Sequence, residues 1–273
     1  MGKFDGVLFC TDLDGTLLRG DKTVSAENRA AIDYFKSEGG LFTFITGRLP
    51  FTAEDIVRAV QPNAPFGCIN GGAVYDPATK TYLWKQELPR AALELVEYVD
   101  NNIEDFGVQI NLFDKAYFSR ENSAMATFRK LTGAPNIVVD YKDVKEPIAK
   151  VVFGDEREGG IDRVLSLLRS HPRADEFAFV SSEPTLGEIL PKGIHKGVAL
   201  QKMVECIGVV PEKTIAIGDY YNDIGMLKTA GLGIAVGNAL PEVKAVADHV
   251  TVGNEEHAIA RVVRDLDSGT LQL

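Results

Sequence analysis

Polar residues follow three apolar runs of the sequence and begin one predicted helix, and their types suit a shared chemistry. Asp12 and Asp14 come directly after the apolar run in VLFCTDLDGTLLRGD, residues 7–21. The other positions are Thr46 and Gly47 after LFTFI, Lys196 at the start of a helix in PKGIHKG, and Asp219, Asn222 and Asp223 after TIAI. Together they supply a nucleophile, a proton donor, a cation site and donors for phosphoryl oxygens, which phosphoryl transfer needs.

Taken singly, each of these residues has a structural explanation. The stretch DLDGT is also typical of a turn, because Asp and Gly are favoured turn residues. Thr46, Asn222 and Asp223 are suitable helix caps, and Lys196 is a candidate for a solvated surface charge. A lysine at a helix N-terminus is unusual unless it meets an anion, because the macrodipole disfavours a cation there. The combination therefore favours one shared site.

The elements that must hold these residues alternate between strands and helices. Residues 7–11, 41–45 and 66–69 are apolar, and residues 26–37 and 51–60 have helical patterns. The alternation returns with a helix from about Lys196 to Cys206 and strand TIAIG from Thr214. Continuous apolar strands are typical of a parallel sheet buried on both faces. We therefore predict an α/β fold with a doubly wound, Rossmann-like parallel sheet, which binds ligands beyond the carboxyl ends of its strands.

Between the two α/β parts the pattern changes. Helical segments such as AALELVEYVDNN separate strands with a clearer alternation, such as GVQINLF, KAYFS and AKVVFG. Turn residues gather near residues 77–89 and 181–187. The sequence therefore predicts a core domain formed by residues 1–82 and 187–273, with an α+β domain inserted at residues 83–186.

Composition narrows the class of partner. The 273-residue chain has a formal net charge of −10 and no Lys/Arg cluster, which argues against nucleic acid, because phosphate-backbone binding needs a basic patch. No apolar stretch approaches the roughly 20 residues of a membrane span. Cys10, Cys68 and Cys206 form no C-x-x-C pair. These features predict a cytoplasmic protein without a nucleic-acid or membrane partner, and they leave phosphate esters open as substrates.

The order of the motifs resembles that of one enzyme superfamily. D-x-D-G-T, then T-G-R, then a single lysine, then G-D-x-x-N-D is similar to the haloacid dehalogenase superfamily of aspartate-nucleophile phosphatases. The phrases TDLDGTLL, ITGR, INGGAVYD and GDYYNDIGML resemble its Cof-like subfamily, whose large C2-type cap corresponds to the predicted insertion. The resemblance covers nearly the whole chain. It implies Mg²⁺ as cofactor, an aspartyl-phosphate intermediate and a small phosphorylated metabolite as substrate.

The resemblance also implies a role for each residue. Asp12 would be the nucleophile, and Asp14 would protonate the leaving alcohol and later deprotonate the attacking water. Mg²⁺ would be bound by Asp12, the backbone carbonyl of Asp14, and Asp219. The groups that hold the phosphoryl oxygens would be the amides of Leu13 and Gly47 and the side chains of Thr46, Lys196 and Asn222. Asp223 would support Lys196 or a metal-bound water.

Two positions depart from the subfamily's usual pattern. His195 stands where a small polar residue usually precedes the lysine, and Tyr220 follows Asp219 where a small residue is commoner. Both lie next to predicted site residues, so they either shape the pocket or are tolerated variation.

The same motifs allow two other functions. A phosphomutase would pass the phosphoryl group to a second hydroxyl, and a small four-helix cap would favour that function over an α/β cap. A non-catalytic regulator would only bind a phosphorylated metabolite, although the intact acidic set argues against it. Sugar phosphates, nucleotides and cofactor phosphates are all compatible substrates. Asn111, Arg120 and Lys150 are candidate residues for recognising the leaving group.

Overall fold

A computed structural model describes residues 2–273, in which the regular elements are 13 strands and nine helices. The strands are β1 (Leu8–Thr11), β2 (Leu41–Phe44), β3 (Phe66–Cys68), β4 (Ala73–Asp76), β5 (Thr81–Lys85), β6 (Gly107–Asn111), β7 (Ala116–Arg120), β8 (Lys150–Gly154), β9 (Phe177–Glu183), β10 (Leu186–Pro191), β11 (Thr214–Gly218), β12 (Leu232–Ala235) and β13 (His249–Val250).

The helices are α1 (Ala26–Ser37), α2 (Glu54–Val60), α3 (Ala92–Asp100), α4 (Ser123–Thr132), α5 (Gly160–Ser170), α6 (Lys196–Ile207), α7 (Ile224–Thr229), α8 (Pro241–Lys244) and α9 (Ala258–Asp267). Across residues 2–273, none of them combines the length and the apolar character needed to cross a bilayer.

The central sheet confirms the predicted α/β class. Its five strands run parallel in the order β13-β12-β11-β1-β2. Helices α1 and α9 pack together, as do α6 and α7. From β1 the chain continues to one side through β2, and β11 on the other side continues outward through β12. The sheet is therefore doubly wound, and the ends of β1 and β11 mark the point where its winding reverses, which is where such sheets bind ligands.

Helix α6 starts and stops at residues suited to each end. His195 caps it, because its Nδ1 accepts a 3.1 Å hydrogen bond from the amide of Gly197. At the other end Gly208 adopts a left-handed conformation with φ of 70°, which glycine tolerates. The cap fixes Lys196 as the first residue of the helix.

The described chain divides into two compact units. The first comprises Met1–Gly47, Glu54–Lys85 and His195–Leu273, and the second comprises Arg48–Ala53 and Gln86–Ile194. Besides the parallel sheet, the first unit holds the antiparallel sheet β3-β4-β5.

The second unit is the α+β insertion. Its five strands lie in the order β7-β6-β8-β10-β9, and every neighbouring pair is antiparallel. Apolar side chains from one face of the sheet pack with those of α3 and α5, including Leu95, Val108, Phe153 and Leu165. The insertion is therefore a sheet with helices, unlike the four-helix cap that would favour a phosphomutase.

Both boundaries between the two units lie at other residues than the sequence predicts. The first lies after Lys85 rather than residue 82, because β5 continues to that residue in its pairing with β4. The second lies after Ile194 rather than residue 186, because β10 pairs with β8 and β9 instead of joining the parallel sheet.

The predicted helix at residues 51–60 is also shorter than expected. It begins at Glu54, and residues Arg48–Ala53 belong to the second unit. The reason is Phe51, whose side chain packs against the apolar cluster of that unit that contains Phe118 and Met125.

Candidate active site

The structure brings the predicted polar loops to one edge of the parallel sheet. Asp12 follows β1, Thr46 lies two residues beyond β2, and Asp219 follows β11. These strands are neighbours in the order β11-β1-β2, and parallel strands end at the same edge. Lys196, the first residue of α6, joins them there, because its ammonium group contacts Asp12.

Lys196 is the centre of the site. Its Nζ lies 2.5 Å from Asp12 Oδ1 and 2.6 Å from Asp223 Oδ1. Lys196 is only 1% exposed and Asp223 is fully buried, so the alternative of a solvated surface charge is wrong. A buried ammonium group requires paired negative charge, and here two carboxylates share it.

Asp223 uses its two carboxylate oxygens differently. Oδ1 accepts the hydrogen bond from Lys196, whereas Oδ2 accepts bonds from the backbone amides of Asp219 at 2.9 Å and Tyr220 at 3.1 Å. The amide bonds close the turn that follows β11. Asp223 therefore holds Asp219 in that turn and also fixes the position of the lysine.

Two residues that are not among those predicted from the sequence, Thr16 and Gly15, determine the surroundings of Asp219. Thr16 Oγ1 donates a 2.7 Å hydrogen bond to Asp219 Oδ1. Gly15, with φ of 85°, allows the close approach, because a Cβ there would lie 2.5 Å from Asp219 Oδ2. Gly15 and Thr16 directly follow Asp14 in the D-x-D-G-T motif. The motif was therefore the sequence signal from which both residues could have been assigned to the site.

Burial and mutual repulsion shift the pKa values of the site. Burial, followed by the charges of Asp223 and Asp219, raises the pKa of Asp12 well above its usual range, although Lys196 opposes the shift. Burial and the charge of Asp223 also raise the pKa of Asp219 to about 7. Burial alone would lower the pKa of Lys196, but Asp12 and Asp223 outweigh burial and raise it. Lys196 is therefore cationic at neutral pH.

The acidic cluster has the donor set of a hard divalent cation. Asp12, Asp219 and Asp223 each offer one carboxylate oxygen, and these atoms lie within 4.8 Å of one another. Oxygen ligands are those that Mg²⁺ and Ca²⁺ prefer. Both oxygens of Asp223 already accept hydrogen bonds, so Asp12 and Asp219 are the side chains more suited to hold a cation. A single lysine does not neutralise this cluster, and a bound cation would.

Asp14 is more exposed than Asp12. Its Oδ1 accepts a 2.8 Å hydrogen bond from Lys22 Nζ, and both side chains keep contact with solvent. A partly solvated carboxylate can exchange protons with substrate and water, as an acid–base group must.

Three of the predicted phosphate-binding residues, Thr46, Gly47 and Asn222, meet at Asn70, which is not among those predicted. The backbone carbonyl of Thr46 accepts a 3.0 Å hydrogen bond from the amide of Asn70. Asn222 Nδ2 donates a 3.0 Å hydrogen bond to Asn70 Oδ1. A Cβ at Gly47 would lie 3.0 Å from Asn70 Nδ2. The Asn-Gly pair in INGG is a turn signal in the sequence, but it does not show which loops the turn contacts.

Three other predicted positions are held by their own surroundings. Leu13 is buried, and its carbonyl accepts a 2.8 Å hydrogen bond from the amide of Leu18. His195 caps α6, and burial lowers its pKa. The ring of Tyr220 packs edge-on against that of Tyr221.

The three candidates for recognising the leaving group lie in the second unit. Arg120 forms ion pairs with Asp100 at 2.8 Å and Asp140 at 3.3 Å, so it holds that unit together. Lys150 forms a buried ion pair with Glu188 at 2.8 Å. Asn111 is buried too, and its Nδ2 has no hydrogen-bond partner within residues 2–273.

Comparison with protein families and curated proteins gives a consistent result. The family model described as haloacid dehalogenase-like hydrolase matches residues 9–263. The 5-amino-6-(5-phospho-D-ribitylamino)uracil phosphatase YcsE of Bacillus subtilis (strain 168) is 30% identical over 259 residues, which are 94% of each chain. YitU of the same organism carries the same description and is 27% identical over 261 residues, covering 94% of this chain and 96% of its own.

A solved structure shares the whole fold. A haloacid dehalogenase-like hydrolase from Bacteroides thetaiotaomicron superposes with a TM-score of 0.83 at 26% identity. The superposition covers 95% of this chain and 99% of the other. The match therefore includes the inserted second unit as well as the parallel sheet.

Proposed function

We propose that this chain, which belongs to the haloacid dehalogenase-like hydrolase family, is a Mg²⁺-dependent phosphatase of small phosphomonoesters. The observation that carries the proposal is the buried ammonium group of Lys196, which lies between Asp12 and Asp223 at the edge where β1 and β11 end. Two relatives that match nearly the full length are named as phosphatases, which supports the same activity.

The proposed reaction has two steps. An oxygen of Asp12 attacks phosphorus, the bond from phosphorus to the ester oxygen breaks, and Asp14 gives its proton to the leaving alkoxide. Water then attacks the phosphorus of the aspartyl phosphate, Asp14 takes a proton from that water, and the bond from phosphorus to Asp12 breaks. A carboxylate needs no general base for the first attack, because it is ionised when it reacts.

The remaining residues bind the charged groups. Asp12, the backbone carbonyl of Asp14, and Asp219 would hold Mg²⁺, which screens the repulsion between the nucleophile and the anionic substrate. Phosphoryl oxygens would be bound by the amides of Leu13 and Gly47 and by Thr46, Lys196 and Asn222. Asp223 supports Lys196 through their 2.6 Å contact.

We expect Mg²⁺ to bind about tenfold more tightly at pH 8 than at pH 6. Burial and Asp223 raise the pKa of Asp219 to about 7 without the metal, so this carboxyl is mostly protonated at pH 6 and ionised at pH 8. Only the ionised form attracts a cation. Isothermal titration calorimetry with MgCl₂ at the two pH values measures the difference, and equal affinities would contradict it.

The substrate is a small phosphorylated metabolite, such as a sugar phosphate, a nucleotide or a cofactor phosphate. Because two relatives are named for 5-amino-6-(5-phospho-D-ribitylamino)uracil, that compound is the first candidate. A panel of phosphomonoesters compared by kcat/KM, with Mg²⁺ and then with a chelator, tests the proposal. Release of phosphate that the chelator stops supports it. If the folded protein hydrolyses no ester of the panel, it is a regulator that only binds a phosphorylated metabolite. If it transfers the phosphoryl group to a second hydroxyl, it is a phosphomutase.

Replacing Asp14 with asparagine should lower kcat/KM by about 10²–10⁴-fold, the range of a lost acid–base group. The loss should be larger for an alkyl phosphate than for para-nitrophenyl phosphate, because an alkoxide needs the proton and a nitrophenolate leaves without it. Steady-state kinetics on the two esters measures the contrast.

Asp21→Asn is the matched control, because it removes an exposed carboxylate from the same loop. Its kinetics should stay at the wild-type level. Equal losses on both esters for Asp14→Asn would show that this residue does not protonate the leaving group.

We also place the protein in the cytoplasm. Within residues 2–273 no cysteine forms a disulfide bond, which is typical of a protein in a reducing compartment.

A further inference from the structure

The short turn Ile69–Gly71, between β3 and β4, has an unusual backbone. Its three residues have positive φ values of 57° at Ile69, 51° at Asn70 and 99° at Gly71. Glycine adopts such angles readily and asparagine does so with some enrichment, but a β-branched residue such as Ile69 does not. Backbone strain of this kind persists only where the surrounding structure imposes it, and it clusters at functional sites.

Asn70, in the middle of this turn, connects two of the candidate phosphate-binding loops. The residue is 1% exposed. Its backbone N–H donates a hydrogen bond to the backbone carbonyl of Thr46, and its side chain fills the space beside the Cα of Gly47. On the other side its Oδ1 accepts the hydrogen bond from Asn222 Nδ2. One buried side chain therefore joins the loop after β2 to the loop after β11.

The next residue extends the connection to a third loop. A Cβ at Gly71 would lie 2.0 Å from the backbone carbonyl oxygen of His195, the residue that precedes Lys196. The absence of a side chain at Gly71 thus allows the backbone of the turn to pack against the start of α6. The turn contacts the loops that carry Thr46, Lys196 and Asn222.

The side-chain amide of Asn222 is only partly hydrogen-bonded by the protein. Its Oδ1 is buried and has no hydrogen-bond partner among residues 2–273. Oδ1 only accepts hydrogen bonds, so a donor on the substrate or a water would have to satisfy it, whereas a phosphoryl oxygen can be bound only by Nδ2. The bond to Asn70 uses one of the two hydrogens of Asn222 Nδ2 and fixes the plane of this amide, so it also fixes the direction of the second N–H, which can donate to a phosphoryl oxygen.

We infer that Asn70 is a positioning residue for the transferred phosphoryl group, acting through the side-chain amide of Asn222 and the backbone at Thr46 and Gly47. The inference rests on the proposed function, because it assumes that these three residues bind phosphoryl oxygens. Asn70 makes the three contacts from a buried position, and small displacements of positioning groups lower the rate strongly.

Asn70→Gly is the direct test, because glycine keeps the positive φ of the turn and removes only the side chain. We expect kcat/KM for para-nitrophenyl phosphate to fall about 10- to 100-fold. The inhibition constant of orthovanadate, which imitates the transferred phosphoryl group, should rise with it. The melting temperature should fall by only a few degrees, because the variant loses the hydrogen bonding of one side chain, including the bond to Asn222.

Asn70→Ala separates the side chain from the backbone. Alanine also lacks the amide but is disfavoured at positive φ, so this variant should be less stable than Asn70→Gly. If Asn70 positions Asn222, the two variants lose the same activity despite their different melting temperatures. A loss that follows the melting temperature instead would overturn the inference.

A double-mutant cycle tests the route through Asn222. Asn70→Gly combined with Asn222→Ala should have nearly the kcat/KM of Asn222→Ala alone, because the two residues act as one unit. Independent, multiplicative losses would overturn that route.

Asn63 is the matched control, an asparagine of the same compact unit whose side chain also bonds to the protein. Its side chain bonds the backbone at Phe42 and Gly40, at 2.7 Å and 3.0 Å. Asn63→Ala should lower the melting temperature without changing kcat/KM or the orthovanadate constant. The two proposals are contradicted by different results. If the wild type hydrolyses no ester of the panel, the proposed phosphatase activity is wrong. If the wild type is active and Asn70→Gly has the same kcat/KM, only the role of Asn70 is wrong.

Discussion

Asp12→Asn should stop turnover and leave the fold as stable as the wild type or more stable. The amide cannot form the covalent intermediate, so kcat should fall on the order of 10⁴-fold or more, as when a covalent nucleophile is removed. Stability should respond differently, because the pKa of Asp12 is raised by burial and by two neighbouring carboxylates. A raised pKa means that folding disfavours the ionised carboxylate at neutral pH. Asparagine removes that penalty.

Kinetics with Mg²⁺ and thermal unfolding without it measure the two effects of Asp12→Asn. Asp33→Asn, which removes an exposed carboxylate from α1, controls for the change in net charge. Residual turnover close to that of the wild type would exclude Asp12 as the nucleophile. A melting temperature several degrees lower would show that its charge stabilises the metal-free fold instead.

Lys196→Met should lose both activity and stability. Its ammonium group is the cation shared by Asp12 and Asp223, and removing one partner of a buried ion pair costs about 3–5 kcal/mol. For a chain of this size that cost corresponds to a melting temperature lower by on the order of 10 °C. Turnover should also be lost, because in the proposed mechanism Lys196 supplies a cation to the phosphoryl oxygens. Thermal unfolding and steady-state kinetics provide the two measurements.

Two further variants separate those effects. Lys196→Met leaves Asp12 and Asp223 without their shared cation, and adding Asp223→Asn removes one of these two unpaired carboxylates. The double variant should therefore regain much of the melting temperature that Lys196→Met loses, but none of the activity. Lys202→Met removes a lysine from the outer part of the same helix, where it pairs with Glu205, and should change neither. If the double variant regains activity, the role of Lys196 is structural.

The strand ends of the site can be predicted from the sequence, because a strong pattern precedes each of them. Asp12, Thr46 and Asp219 each follow a continuous apolar run, and such runs predict parallel strands whose carboxyl ends share an edge. The structure confirms the corresponding strands and places α1 at Ala26–Ser37, as predicted. Patterns over four or more residues determine these elements locally.

Contacts between distant residues could not be predicted in the same way. The strand Leu186–Pro191 is apolar enough for either sheet, and its pairing with β8 and β9 depends on residues far away in the sequence. Phe51 fits a helical pattern but packs with Phe118 and Met125 instead. The periodicity of apolar residues in a sequence shows that a side chain is buried, but it does not show which residues that side chain packs against.

The role of Asn70 in the site could not be predicted from the sequence either. A neutral amide carries no obvious chemistry, and its importance depends on three successive positive φ values and on the two loops that happen to meet it. The dipeptide Asn-Gly predicts a turn there. Nothing local specifies that the turn lies against Gly47 and Asn222.

During translation, β1 leaves the ribosome long before its partner β11. Leu8–Thr11 pair with Thr214–Ile217, and the whole of Gln86–Ile194 is synthesised between them. At about 5–20 residues per second, roughly 200 intervening residues take about 10–40 s. The second unit takes all five of its strands from the continuous stretch Gln86–Ile194 and can fold during this time. The first unit meanwhile has an unpaired apolar strand edge, which is a surface prone to aggregation. A nascent chain interrupted before residue 196 contains Asp12 but neither Lys196 nor Asp219, so it exposes the start of the sheet without any capacity for catalysis.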